Sequence, residues 1–303
     1  MGSSTLPRRA WLAALASAAT SAACSRSSAD DKTPPSTAGW NDVPFPASED
    51  QPDGQLASIY APSGSRGWPL LVALHGRGEA GRGLDAGAHG WRDDYALDAR
   101  RARLEAPPLV AADADGMLES ERLEALNASL AKTPWRGLAI ACPYTPVPTG
   151  RDLASARPFM RFVTDSLLAK AAEKVGPLTR ERTGIDGVSM GGRYALQIGF
   201  SCPEIFGAVG AMQPAIREEE AVDFADLARA AKKKRLQIVR LVTSADDPFL
   251  DATRALSKAL TGRAVDHQLI VTQGPHDYAW NRGPGGIEML AFHERVLRGV
   301  APP

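Results

Sequence analysis

Apolar residues fall along the chain in short unbroken runs, with stretches of helical spacing between them. Pro69–Leu74 and Gly137–Cys142 are two such runs; the first closes on His75-Gly76-Arg77-Gly78 and the second on Pro143. A short apolar run ended by glycine or proline suits a strand buried on both faces. Leu56–Tyr60, Thr183–Val188, Phe206–Met212, Leu236–Val242 and Gln268–Thr272 read as further strands. Between them, Arg157–Lys174 places Phe159, Phe162, Val163, Leu167, Leu168 and Ala171 at helical spacing. Gly192–Phe200, Asp251–Leu260 and Ile287–Leu297 also read as helices. Strands separated by helices predict an α/β fold, a mostly parallel central sheet with helices on both faces. The gap of about sixty residues between Leu74 and Gly137 exceeds what one crossover helix needs, and predicts an inserted cap segment near 79–135.

The N-terminus departs from this pattern. Residues 1–23 hold no acid, carry Arg8 and Arg9, and continue into an Ala- and Leu-rich run from Ala10 to Ala23. That run is too short to span a membrane. A charged start, a short apolar core and small residues before a break read as a signal peptide. Arg8-Arg9-Ala10-Trp11-Leu12 resembles a twin-arginine signal, although Pro7 leaves Sec export open. Ser21-Ala22-Ala23-Cys24 resembles a lipobox, in which Cys24 is lipidated; plain cleavage near Ala23 is the alternative. Residues 24–48, rich in Ser, Asp and Pro, read as a flexible linker, and 49–303 as one domain. These features predict an exported protein of the cell envelope whose membrane contact is the lipid at Cys24.

Composition narrows the classes. The chain has 303 residues, 44% of them hydrophobic, which excludes a disordered protein. Its Lys+Arg and Asp+Glu totals are both 35, which argues against a nucleic-acid binder. Three cysteines exclude a disulfide scaffold. Cys142 and Cys202 read as free thiols, with pairing left open. No His/Cys cluster has metal spacing, Asp113-Ala114-Asp115-Gly116 lacks both ends of a calcium loop, and the glycine-rich loops lack a P-loop Lys-Ser/Thr. No cofactor or metal is expected.

Gly187-Val188-Ser189-Met190-Gly191 carries the chemistry. In G-x-S-x-G between a strand and a helix, glycines on either side let the chain turn sharply and expose the Ser hydroxyl. Partners should follow in the order acid, then His. Of the five histidines, His276 alone falls in a loop after the last predicted strand. The acid is Asp247 or its neighbour Asp246, after the strand at Leu236–Val242; Asp247, followed by Pro248, is preferred. Oxyanion N–H groups should come from Met190 and from Arg77, with Gly76 as the fallback.

Leu74-His-Gly-Arg-Gly78, Gly187-Val-Ser-Met-Gly-Gly192, Pro203-Glu-Ile-Phe-Gly-Ala208, Asp247-Pro248 and Gly274-Pro-His-Asp-Tyr-Ala-Trp280 together resemble the esterase D group of α/β-hydrolases, which includes feruloyl esterases and S-formylglutathione hydrolases. The resemblance covers roughly 55–298 and is weak in the insertion. It implies the α/β-hydrolase fold and cleavage of a small-molecule or polymer-linked carboxylic or thioester through an acyl-enzyme. An acyltransferase, a peptidase or a non-catalytic binding protein on the same scaffold are the other readings.

Overall fold

The computed structural model describes residues 38–64 and 67–303; the expected signal peptide, Cys24 and most of the expected linker lie outside them. The fully buried runs became the inner strands. β3 (Leu70–Leu74), β4 (Ala139–Pro143), β5 (Thr183–Gly187) and β6 (Ala208–Met212) are buried at every position. With β1 (Gly39–Phe45), β2 (Gln55–Ala61), β7 (Ile238–Asp246) and β8 (His267–Pro275) they form one eight-stranded sheet in the order β1-β2-β4-β3-β5-β6-β7-β8. β1 pairs antiparallel with β2, and β2 with β4; all other neighbours are parallel. β1 corrects the linker reading, because Gly39–Phe45 is an edge strand in register with Gln55–Ala61. Only Val43 of its residues is buried, and Asp42 and Pro44 suit an edge.

The helices in chain order are α1 (Arg77–Ala80), α2 (Leu84–Asp93), α3 (Leu97–Glu105), α4 (Ser120–Lys132), α5 (Leu153–Arg161), α6 (Leu168–Val175), α7 (Met190–Ser201), α8 (Ala221–Lys234), α9 (Leu250–Gly262), α10 (Tyr278–Trp280) and α11 (Gly286–Val296). The helix expected over 157–174 is α5 and α6 joined by a π turn at Phe162–Leu167. Alternation along β3 splits the core. Leu70, Val72 and Leu74 pack with Phe159, Tyr194, Leu196 and Leu256 of the α5–α9 layer. Leu71 and Ala73 pack with Trp91, Leu104, Leu126, Ile287 and Leu290 on the other face.

That second face also corrects the reading of 79–135 as an inserted cap. α2 packs on β2 and β4, and α3 packs on α11. The segment supplies much of one helical layer, because its apolar residues are those the sheet needs covered. Leu104 and Leu126 are buried to within 1%, each worth about 1.5–3 kcal/mol. Among the described residues no helix is long and apolar enough to cross a membrane.

A buried ionic cluster lies between the strands and α11. Asp186 on β5 accepts from His293 Nε2 at 3.0 Å and lies 3.9 Å from Arg240 on β7; Arg240 reaches Glu288 at 3.0 Å. Arg122 grips Glu288 with two bonds of 2.6 Å. Glycines make the room: a Cβ on Gly210 would lie 2.0 Å from the Asp186 carboxylate, and one on Gly184 2.5 Å from His293. Burial lowers the His293 pKa, so two cations face two carboxylates and the imidazole stays neutral. Burial also pulls Arg240 down to about 10, which leaves it charged at neutral pH.

Candidate active site

Ser189 sits between β5 and α7 with φ 58° and ψ −117°. A non-glycine residue with positive φ is strained by about 1–3 kcal/mol and persists where its neighbours hold it. Here Ser189 N–H donates to Met212 O at 2.9 Å and Val188 N–H to Leu74 O at 3.1 Å. The flanking glycines let three backbones meet. A Cβ on Gly187 would lie 2.5 Å from the Gly191 carbonyl, and one on Gly191 2.3 Å from Leu74 O. The Ser189 hydroxyl does not cap the helix that follows, so the turn leaves it for other work.

His276 directly follows β8, and Asp247 directly follows β7. Parallel pairing of β7 with β8, through an irregularity between Ser244 and Asp246, brings the two loops side by side. His276 Nδ1 lies 2.9 Å from Asp247 Oδ1. A carboxylate only accepts, so Nδ1 carries a proton, and in the neutral ring Nε2 is then the nitrogen with the lone pair. Asp247 is fixed in turn: Oδ2 accepts from Thr243 Oγ1 at 2.6 Å and Oδ1 from Phe249 N–H at 3.1 Å. Its side chain is fully buried, whereas Asp246 is exposed at the end of β7. The structure therefore brings Asp247, not Asp246, to the imidazole. The Phe249 ring meets the His276 ring edge-on, with centroids 5.4 Å apart.

Gln213, which sequence reasoning missed, links the serine turn to the histidine loop. It follows β6 with φ 41° and is fully buried. Its Nε2 donates to Ser244 Oγ at 2.7 Å and to Pro275 O, just before His276, at 3.1 Å. One polar residue after an apolar strand is its only signal in sequence. Beneath the histidine loop, Trp280 is buried and donates to Thr272 Oγ1 at 2.7 Å.

The loop after β3 borders the serine turn: a Cβ on Gly76 would lie 3.7 Å from Ser189 Cβ. His75 shapes this loop from a fully buried position. Thr145 N–H donates to His75 Nε2 at 2.7 Å, which leaves the ring proton on Nδ1 to donate to Gly76 O, also at 2.7 Å. Burial lowers the His75 pKa to about 4, in keeping with a neutral ring. The peptide between Gly76 and Arg77 is planar and trans, so anchoring its carbonyl aims the Arg77 N–H the opposite way. Arg77 and Met190 are each the first residue of a helix, where an N–H has no acceptor within the helix. The Gly76 N–H instead faces Tyr95 Oη at 3.4 Å. Of the two expected donors in this loop, the geometry thus frees Arg77 and engages Gly76.

Other residues singled out in sequence serve structure. Asp113 takes two bonds from Arg103, at 2.7 and 3.1 Å, and caps its own turn through Val110 N–H. Lys232, Lys233 and Lys234 form the last turn of α8. Cys142 and Cys202 are free, with both thiols pushed up by burial. No group of His, Cys, Asp and Glu among the described residues could hold a metal. A cavity of about 360 Å³ between Trp68, Trp135 and Arg101 lies by the start of β4, at the opposite end of the strands from Ser189.

Residues 146–283, a span that includes Ser189, Asp247 and His276, match the family model described as "Putative esterase". No curated protein matches the chain. Among solved structures it is similar to a ferulic acid esterase, with a TM-score of 0.64 and 17% identity over 86% of this chain and 98% of that one. It is also similar to S-formylglutathione hydrolase from Staphylococcus aureus, with a TM-score of 0.59 and 13% identity over 86% of this chain and 100% of that one. A ferulic acid esterase from the anaerobic fungus Anaeromyces mucronatus gives a TM-score of 0.54 and 14% identity over 89% and 94%. At such identities the structural likeness speaks for the fold. With this sheet order and the match over residues 146–283, the chain has the α/β-hydrolase fold and resembles the esterases that share it.

Proposed function

We propose that the protein is a serine esterase that works through an acyl-enzyme. The observation that carries the reading is the Asp247–His276 pair, 2.9 Å apart, on loops tied to the Ser189 turn through Gln213. His276 Nε2 takes the hydroxyl proton as Ser189 Oγ bonds to the ester carbonyl carbon. The oxyanion that forms accepts from the N–H groups of Met190 and Arg77, which are aimed before substrate arrives. Collapse expels the alcohol, which receives the proton from His276. Water then attacks the acyl carbon with His276 again as base, and the acid leaves. Asp247 holds the imidazole in the tautomer each step requires. The substrate is a small or polymer-linked carboxylic or thioester, and the chemistry needs no cofactor. The mixture of an exposed Tyr278 and the Phe249 ring beside His276 supports an acyl or alcohol group with apolar surface.

The test is hydrolysis of p-nitrophenyl esters of increasing acyl length by residues 25–303, with Ser189→Ala as the pair. Turnover abolished by the substitution is expected; turnover that survives it would remove Ser189 from the mechanism. The sequence of residues 1–24 supports export with a lipid on Cys24, which a mass of the mature N-terminal peptide without diacylglyceryl would refute.

A further inference from the structure

Glu79 is a buried carboxylate that the reaction just described does not use. It lies in α1, two residues past Arg77, with 1% of its surface exposed. Its two oxygens are divided between two tyrosines. Oε1 accepts from Tyr278 Oη at 2.6 Å, and Oε2 accepts from Tyr95 Oη at 2.5 Å. Tyr278 stands two residues after His276, and Tyr95 in turn faces the Gly76 N–H at 3.4 Å. The Arg82 guanidinium, 3.7 Å from Oε1, and the His75 ring, 4.0 Å from Oε2, are the other charged or titratable groups against it.

The surrounding backbone is cut to fit this arrangement. A Cβ on Gly90 would lie 2.8 Å from Glu79 Cγ, and one on Gly78 2.9 Å from Tyr278 Oη. A Cβ on Gly76 would stand 3.4 Å from both Glu79 Oε2 and Tyr95 Oη. Short bonds from a hydroxyl to a buried carboxylate are among the stronger neutral-to-ion hydrogen bonds. The carboxylate holds the Tyr278 proton up to about 12, and burial with Glu79 raises Tyr95, so both hydroxyls remain donors across the working range.

We propose that Glu79 is a positioning residue which, through Tyr278 and Tyr95, fixes the loop bearing the oxyanion N–H against the loop bearing His276. This rests on the esterase reading. In the tetrahedral intermediate the oxyanion must meet the Arg77 N–H while His276 faces the leaving oxygen. The two groups serve different substituents of the reacting carbon and are about two hundred residues apart in sequence, and catalysis tolerates little error in their spacing. A single carboxylate spanning both loops sets that spacing from outside the reacting groups. Substrate binding need not involve it, so its loss should fall on kcat and spare KM.

The experiment compares wild type, Glu79→Gln, Tyr278→Phe and the double variant. Each enzyme is titrated for active sites with a fluorophosphonate and assayed on p-nitrophenyl acetate, with Tm recorded. Expected is a fall in kcat per titrated site of about 10- to 100-fold in Glu79→Gln, with KM within about twofold. Tyr278→Phe should fall in the same direction. The double variant should fall no further than Glu79→Gln, because both changes remove one tie. Should Glu79→Gln fail to fold, Tyr278→Phe, a partly exposed residue, carries the test alone. A kcat per titrated site within twofold of wild type, with only Tm lowered, would overturn the proposal. Failure of the esterase reading looks different: wild type itself would show neither turnover nor labelling at Ser189.

Discussion

His75 couples the loop after β3 to acid stability, and the size of the effect can be worked out from its surroundings. Its ring is fully buried; Nε2 accepts from Thr145 N–H and Nδ1 donates to Gly76 O, each at 2.7 Å. A second proton would have to sit on Nε2, facing the Thr145 N–H, donor against donor. Burial accordingly lowers the pKa from 6.5 to about 4, outweighing the opposing pull of Glu79. The unfolded chain, with an ordinary histidine, therefore binds one more proton than the folded chain between about pH 6.5 and pH 4. Stability rises with pH wherever the unfolded state holds more protons, at about 1.4 kcal/mol per pH unit for one group. The contribution is intact above pH 6.5, is lost as pH falls, and amounts to about 3 kcal/mol once pH reaches 4. The assay is urea unfolding of wild type and His75→Gln at half-unit steps from pH 7.5 to pH 4.5. The variant starts less stable, because buried backbone groups lose well-placed partners, but the slope carries the result. His293, lowered in the same direction, titrates in both proteins and cancels in the difference. Wild type should lose about 1.4 kcal/mol per unit more than the variant between pH 6 and pH 4.5. Parallel curves would refute the reasoning, since they would mean that His75 titrates alike folded and unfolded.

Two further outcomes follow from the same structure. Asp247→Asn keeps a side chain of the same size between Thr243 and His276 but no longer holds the Nδ1–H tautomer; kcat should fall by about 10⁴ with the circular dichroism spectrum unchanged, while Asp246→Asn stays within twofold. Arg240→Met should cost about 3–5 kcal/mol in urea unfolding, because Asp186 and Glu288 would remain buried against one fewer cation, and a loss below 1 kcal/mol would show the cluster to be already balanced without Arg240.

Much of this arrangement is legible in the chain itself, because two kinds of signal are local. Runs such as Leu70–Leu74 are buried on both faces and so carry no polar residue to blur them. The G-x-S-x-G turn writes its steric need for Gly187 and Gly191 directly into spacing. The preference for Asp247 over Asp246 also came from a local feature, the proline that follows it, and the buried Asp247–His276 contact has the same sense. What escapes a linear reading depends on partners far away. β1 hides in a Ser- and Pro-rich stretch because an edge strand needs only one buried side chain, Val43. The segment 79–135 reads as an insertion because its length exceeds what one crossover helix needs; that α2 packs on β2 and β4 is a matter of three dimensions. Glu79, Arg240 and Glu288 carry no local signal of burial, since their hydrogen-bond partners lie from sixteen to about two hundred residues away. Gln213 is the same case in miniature, one amide whose role appears only when Pro275 arrives beside it.

The central claim is that Ser189 is a nucleophile activated by His276. It is tested most directly by intact mass after reaction with a fluorophosphonate, followed by peptide mapping, on wild type, Ser189→Ala and His276→Ala. Predicted are one adduct per wild-type chain on the peptide containing Ser189, none on Ser189→Ala, and labelling slowed by at least about a hundredfold in His276→Ala. An unlabelled wild type, or an adduct that persists in Ser189→Ala, would contradict it.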